Sequence, residues 1–269
     1  MDIRGNDDIR IIFFDVDGTL VGINHQVAIP STLSALQALR EKGIIICISS
    51  GRHLLDVKVL DLPPFDAYIT TNGACCIANN KVIYKRLIPE EDIERLIRYQ
   101  QGKNKFPCII ETADEAYLNF SNKWVKQLHK ELHIRKPILC SFDEWSTQAR
   151  SGVEQMLCFF SPKSDERLIK EILPGCATKR WCFYFTDVIE NECDKAKGID
   201  IILDHFGLQP KHAMAFGDGG NDISMLEHVG ISVAMGNASE QVKASADFIT
   251  NSVENDGILK GLQHFGVLD

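Results

Sequence analysis

Asp15 and Asp17 are the residues whose types and spacing point most directly to chemistry. Two carboxylates two positions apart on an extended chain still need a turn between them before they can share one task with a single ligand. They close the apolar run Ile9 to Phe14, broken only by Arg10, and Gly18-Thr19-Leu20 follows them. Such a run reads as a buried strand. If the strand ends at Asp15 and the chain turns, both carboxylates can enter one pocket. One can then attack an electrophile while the other moves a proton. An acidic turn that only caps a strand is the plainer alternative.

A second acidic turn lies far along the chain. The short apolar run Ala213-Met214-Ala215-Phe216 leads into Gly217-Asp218-Gly219-Gly220-Asn221-Asp222. Ile223, Met225, Leu226 and Val229 then recur at helical spacing. This predicts a strand, a glycine turn carrying Asp218, and a helix opening near Asn221 and Asp222. Parallel α/β sheets place ligand sites at the carboxyl ends of strands. Clustered carboxylates repel one another, and a hard divalent cation relieves the repulsion. Mg2+ takes oxygen ligands and typically binds through one or two carboxylates plus a substrate phosphate. The glycines also suggest a dinucleotide loop, but Asp218 would set a negative charge against the pyrophosphate.

Six segments occur in order along the chain: Asp15-Val16-Asp17-Gly18-Thr19-Leu20, Ser49-Ser50-Gly51-Arg52, Thr71-Asn72-Gly73-Ala74, Asp194-Lys195, Gly217-Asp218-Gly219-Gly220-Asn221-Asp222 and Val233-Ala234-Met235-Gly236-Asn237-Ala238. With them the sequence resembles the haloacid dehalogenase (HAD) superfamily of phosphotransferases. More narrowly, it is similar to the Cof-type sugar-phosphate phosphatases. The resemblance implies an α/β fold, a Rossmann-like parallel-sheet HAD core with an inserted α+β cap domain. It implies Asp15 as nucleophile and Mg2+ ligand. Asp17 would be the proton carrier, with its carbonyl on the metal. Asp218 and Asp222 would complete the metal set, Asp222 holding either metal waters or the lysine. Val16, Ser50, Gly51, Asn72 and Asn221 would bind substrate and phosphate. Ser50 stands where the family usually has threonine, and it keeps the hydroxyl donor. The backbone amides of Ser50 and Gly51, where a turn opens a helix, would add further donors. Lys195 and Lys197 compete for the cation role: a lysine-glycine pairing favours Lys197, and the interval to Asp218 favours Lys195, which is preferred. Asn72 also reads as an ordinary turn residue before Gly73, Asp222 as a helix N-terminal carboxylate, and His25 as surface filler in the loop after the first motif.

The elements that must hold these residues alternate at both ends of the chain. Pro30 and Ser31 start a helix with Leu33, Leu36 and Leu39 on one face, and Gly43 stops it. Ile44 to Ile48 and Ala67 to Thr70 read as buried strands. Ile199, Ile202, Leu203 and Phe206 make a helical stripe capped by Gly207. Ile231 to Ala234 and Phe248-Ile249 suit strands, and Ile258, Leu259 and Leu262 a last helix. Such repeats build a parallel sheet with right-handed crossovers. The middle differs. Lys81 to Leu87, Cys108 to Glu111, Ala116 to Phe120, Val153 to Phe160 and Arg180 to Val188 are strand-like. Helices are expected from Pro89, from Ser164 and over Trp124 to Leu132. This predicts a core of residues 1–80 and 190–269 and an inserted α+β cap of residues 81–189. Trp181, Asp187 and Arg180 are candidates for leaving-group contacts in that cap.

The 269 residues are 45% hydrophobic and 25% charged, ordinary for a soluble globular protein. A net charge of −8 argues against nucleic acid as partner. The polar start, Met1 to Arg10, carries no signal peptide, and no apolar run approaches a membrane span. Nine cysteines, several inside apolar runs, read as reduced thiols in a cytoplasmic protein. Neither Cys75-Cys76 nor any histidine pair has zinc-ligand spacing. The expectation is a Mg2+-dependent phosphatase of small phosphorylated metabolites, sugar phosphates foremost, acting through an aspartyl-phosphate as a monomer or weak dimer. A hexose-phosphate mutase or other phosphotransferase shares every core residue. A non-catalytic phosphometabolite sensor would not need the Asp15–Asp17 pair.

Overall fold

The computed structural model describes residues 9–22, 27–131, 134–180 and 182–269. Ile11–Phe14 is a strand whose four side chains are all buried. Ile12 and Phe14 join one apolar cluster with Leu36 and Leu39 of the helix Pro30–Glu41 and with Ile258 and Leu262 of the helix Gly257–His264. Ile11 and Phe13 join the opposite cluster with Ile199, Ile202 and Leu203 of the helix Lys195–Phe206. Successive strand side chains point to opposite faces. A strand covered on both faces is therefore apolar at every position. Phe14 stacks on Phe216 with centroids 5.3 Å apart, and truncating such a buried ring to alanine costs about 3–5 kcal/mol.

This strand is central in an eight-stranded sheet ordered Phe248–Ile249, Ile231–Ala234, Ala213–Gly217, Ile11–Phe14, Ile45–Ser49, Ala67–Thr70, Cys75–Ala78, Lys81–Lys85. The first six strands are parallel, and the last two return antiparallel. The chain builds outward in one direction from Ile11–Phe14 and later in the other. The topological switch point thus falls between Ile11–Phe14 and Ala213–Gly217, where parallel sheets form their ligand crevices. Both acidic turns leave the sheet there.

Lys81–Lys85, expected in the inserted unit, instead closes the edge of this sheet by pairing with Cys75–Ala78. The turn between them dictates it. Asn79 and Asn80 have φ of 51° and 59°, the left-handed pair that a two-residue hairpin needs and asparagine tolerates.

The second sheet, between the two halves of the first in sequence, is ordered Cys176–Lys179, Thr186–Glu190, Gln155–Cys158, Cys108–Glu111, Ala116–Leu118, Ile138–Leu139. It is antiparallel except for its last pair. Cys108, Ile110, Met156, Cys158 and Val188 turn toward the helices Glu90–Gln100, Phe142–Ala149 and Asp165–Glu171, meeting Ile93, Leu96, Trp145 and Leu168. The other face carries Ile109, Leu157 and Phe159, covered by Val125 and Leu128 of the helix Lys123–Glu131. By the same period of two, Glu111, Gln155 and Asp187 fall on that second face. The architecture is the α/β one expected, a parallel core sheet with an inserted α+β unit.

The expected strand Arg180 to Val188 forms only over Thr186–Glu190. Arg180 donates to the carbonyls of Cys182, Phe183 and Phe185 and pairs with Asp165, which curls the chain out of the ladder. Among the described residues, no helix is long and apolar enough to cross a membrane.

Candidate active site

Asp15 follows the last residue of the central strand and is held by the ladder, its N–H donating to the Phe216 carbonyl at 3.0 Å. Lys195 Nζ donates to Asp15 Oδ1 at 2.7 Å and also to Asp222 Oδ1. The lysine side chain is fully buried. Burial alone would lower its pKa, but Asp15 and Asp222 outweigh burial and hold it above the ordinary value. Lys195 opens the helix Lys195–Phe206, whose N-cap Asp194 accepts from the Lys197 amide at 2.8 Å. Gly73 lets that helix start dock. It has φ +96°, and a Cβ there would stand 2.0 Å from the Asp194 carbonyl oxygen. Of the two candidate lysines, the structure brings Lys195 to Asp15 and leaves Lys197 exposed.

The two acidic turns interlock. Thr19 Oγ1 donates to Asp218 Oδ1 at 3.0 Å. Asn237 Nδ2 donates to Asp218 Oδ2 at 3.1 Å and to the Gly18 carbonyl at 2.9 Å. Gly18, at φ +88°, leaves no room for a side chain, since a Cβ would lie 2.2 Å from Asp218 Oδ2. Asp222 Oδ2 accepts from the amides of Asp218 and Gly219 at 2.9 and 2.8 Å. Asp222 thus closes the glycine loop and holds the lysine at once, and its amide partners lie in that loop. One oxygen from each of Asp15, Asp218 and Asp222 falls within 4.8 Å of the others. Burial, and then the Asp222 charge, push the Asp15 carboxyl well above its usual range despite Lys195. The same two causes push Asp218 up to about 7. Carboxylates crowded in this way match the hard-oxygen donor set of Mg2+.

Asp17 reaches the same pocket and is gripped by Arg52 on both oxygens, Nε to Oδ2 and Nη2 to Oδ1, each at 2.7 Å. Val16 packs its side chain into the core, and its carbonyl accepts from the amides of Leu20 and Val21 at 3.0 Å each, which shapes the turn. The Ser50 hydroxyl is buried and accepts from the Arg52 amide at 3.1 Å, leaving its proton to donate. The expected Ser50 amide donor is corrected: it already serves the Ile69 carbonyl at 2.8 Å. Nor do Ser50 and Gly51 open a helix directly, because the one-turn helix Leu54–Val57 is capped by His53.

Asn72 sits in the left-handed region at φ 52°, beside Thr71 at 50°. Such backbone is strained for residues other than glycine. Asn72 Oδ1 accepts from Asn221 Nδ2 at 2.9 Å, and its own Nδ2 donates to Gln155 Oε1 at 3.2 Å and Asp187 Oδ2 at 3.3 Å. Asn72 is therefore a turn residue and a bridge between the two sheets.

Asp15, Asp17, Ser50, Arg52, Asp218 and Asn221 line a cavity of about 430 Å³. Its other wall comes from the small sheet, with Glu111, Gln155, Asp187, Leu157, Phe185 and Ile134. Gln155 Nε2 crosses to the Gly51 carbonyl at 3.0 Å. Arg135 reaches Asp56 through its N–H at 2.8 Å and its Nε at 3.1 Å. Arg52, Glu111, Gln155 and Arg135 carry no role in the sequence reading. Glu111 and Gln155 were detectable as polar residues in apolar strands. Arg180 lines the cavity, but its charge is committed to Asp165. His25 and Trp181 lie outside the described residues.

The haloacid dehalogenase-like hydrolase family matches residues 12–262. Over 266 residues the chain is 31% identical to a Bacillus subtilis (strain 168) protein provisionally named phosphatase YkrA, covering 97% of this chain and 99% of that one. It is 29% identical over 243 residues to an HMP-PP phosphatase of Escherichia coli O6:H1, covering 87% of each. The solved structure of BT4131, a HAD subclass IIB sugar phosphatase, is 38% identical with a TM-score of 0.85, over 96% of this chain and 100% of that one. BT1666 of Bacteroides thetaiotaomicron, among the phosphatases of the HAD superfamily, is 34% identical with a TM-score of 0.87, over 98% of each chain.

Proposed function

The chain belongs to the haloacid dehalogenase-like hydrolase family, and on that premise we propose that it is a Mg2+-dependent phosphatase of small phosphorylated metabolites, sugar phosphates first among them. The observation that carries this reading is the buried contact of Lys195 with Asp15 beside Asp218 and Asp222. Four carboxylates (Asp15, Asp17, Asp218, Asp222) face two cations (Lys195, Arg52), which leaves two negative charges. A divalent cation balances that excess. Asp15, Asp218, the Asp17 carbonyl and Asp222 would hold the metal. When bound, Mg2+ supplies charge neutralisation between the carboxylates and the phosphoryl group.

The residues divide the reaction in two. A phosphate dianion resists attack by a carboxylate, and Lys195 offsets part of that repulsion. Its hold on Asp15 Oδ1 leaves Oδ2 as the attacking atom. The bond from Asp15 to phosphorus forms as the ester bond breaks, and Asp17, which must take up a proton and turn one oxygen from Arg52 when substrate binds, gives that proton to the departing alkoxide. Asp17 then takes a proton from the water that releases phosphate and restores Asp15. The Ser50 hydroxyl, the Gly51 amide and the Asn221 amide group bind the phosphoryl oxygens. We take the small sheet with its helices, from about residue 86 to residue 189, as a cap that excludes water and reads the leaving group. All nine cysteines are free thiols, which supports a reducing, cytoplasmic setting. Phosphate release from a panel of phosphorylated metabolites, with Mg2+ or with EDTA, tests the reading. Turnover that needs Mg2+ is expected, and undiminished turnover in EDTA would refute it.

A further inference from the structure

The small sheet contributes a wall of hydrogen-bond acceptors to the cavity. Glu111 is 4% exposed and Asp187 6%, and each uses one oxygen within the protein. Glu111 Oε2 accepts from Gln155 Nε2 at 3.1 Å, and Asp187 Oδ2 accepts from Asn72 Nδ2 at 3.3 Å. Among the described residues, no donor meets Glu111 Oε1 or Asp187 Oδ1. The cations around the cavity are committed elsewhere: Arg52 to Asp17, Arg135 to Asp56 and Glu115, Arg180 to Asp165, and Lys85 to Glu154.

Buried carboxylates are ordinarily paired with a cation or a metal. Among the described residues neither makes an ion pair with a cation, Arg135 acts on Glu111 only through space, and burial raises both. Burial, then the charges of Asp56 and Asp187, hold Glu111 well above the usual carboxylate range. Burial pushes Asp187 up to about 7. Leu157, Phe185 and Ile134 line the same space and offer apolar surface to a carbon skeleton.

We infer that Glu111 and Asp187, linked through Gln155 and Asn72, form the leaving-group subsite and select phosphate monoesters whose leaving group carries a protonated amine. The inference rests on the phosphatase reading above. An ammonium brings three donors and a positive charge to two carboxylates with open oxygens. A hydroxyl at the same place brings one donor and leaves the charge uncompensated. The anchors proposed for the phosphate (Lys195, Ser50, Asn221) lie on the other sheet and its loops, so the two ends of the substrate meet opposite chemistry.

The test compares matched substrates. One pair is a hexose 6-phosphate and its 2-amino-2-deoxy counterpart. The others are ω-aminoalkyl and ω-hydroxyalkyl monophosphates of equal chain length, which scan the distance from phosphate to amine. The wild-type enzyme with Mg2+ should favour the amine in at least one pair by about tenfold in kcat/KM, chiefly through KM. Glu111→Gln and Asp187→Asn should each bring that ratio toward one. Asp187→Asn also removes a buried charge that the wild type carries at pH 8, so it should raise the Tm there. Equal turnover within every pair, an amine preference that survives both substitutions, or a lowered Tm of Asp187→Asn at pH 8 would overturn the inference. Failure of the wild-type enzyme to hydrolyse even p-nitrophenyl phosphate would instead remove the phosphatase reading beneath it.

Discussion

Arg52 holds Asp17 by a two-pronged contact, Nε on Oδ2 and Nη2 on Oδ1, both at 2.7 Å. A guanidinium fork matched to a carboxylate fixes both position and orientation. Asp17 stands at the turn where the sheet ends, and Arg52 arrives from the loop after the neighbouring strand. Arg52→Ala should therefore release Asp17 and lower kcat by roughly 10²–10³-fold, the range of a lost acid–base contribution. Arg52→Lys should recover only part of the rate, because an ammonium cannot make the bidentate contact. Full rescue by lysine would show that charge alone matters at this position.

Lys195 is buried between Asp15 and Asp222, whereas Lys197 lies exposed on the first turn of the same helix. Lys195→Ala should cut turnover by about 10²–10³-fold, as losing a charged contact in a water-poor site does. It should also destabilise the metal-free protein by about 3–5 kcal/mol, because two buried carboxylates lose their cation. Lys197→Ala should leave stability within about 0.5 kcal/mol. Steady-state kinetics and urea unfolding of both variants check the ranking, which the reverse order would contradict.

Asp187 makes stability depend on pH. Burial raises its folded pKa to about 7 from an ordinary value of 3.8. Between those values the native state keeps a proton that the unfolded chain has lost. Stability from this group therefore falls as pH rises through that window and stays low above it. Asp187→Asn should match the wild type near pH 4 and exceed it at pH 8 by on the order of a few kcal/mol. Thermal melts across that range would show the two curves diverging, and parallel curves would sink the assignment.

Arg135 and Asp56 link the small sheet's side of the cavity to the core, with the guanidinium 19% exposed and the carboxylate 6%. Arg135→Ala should loosen closure over bound substrate. KM should rise several-fold with a smaller change in kcat, and amide exchange should quicken around residues 53–57. A kcat loss at unchanged KM would place Arg135 in the chemistry instead.

Much of this site was legible because it lies on short stretches. The two acidic turns, Ser50, Asn72 and Lys195 each follow a strand or open a helix whose pattern shows in sequence. What escaped notice depends on packing between distant segments. Arg52 stands within a sequence motif, but only the fold aims it at Asp17. Glu111 and Gln155 become site residues because Cys108–Glu111 and Gln155–Cys158 pair in register with one face turned to the cavity. The hairpin through Asn79-Asn80 is readable from turn chemistry, and it places Lys81–Lys85 on the edge of the core sheet. The helix Phe142–Ala149 is short, and its N-cap, Ser141 accepting from the Glu144 amide at 3.2 Å, was its clearest signal. The curl after Arg180 depends on the ion pair with Asp165, which no local pattern reveals.

The central claim is that Asp15 carries the phosphoryl group. Mg2+-loaded enzyme, quenched in acid during turnover of a phosphate ester labelled in its phosphoryl group, tests this most directly. The account predicts a hydroxylamine-labile label on the peptide containing Asp15, absent from Asp15→Asn and from enzyme quenched in EDTA. Label on a different residue, or substantial turnover by Asp15→Asn, would contradict it.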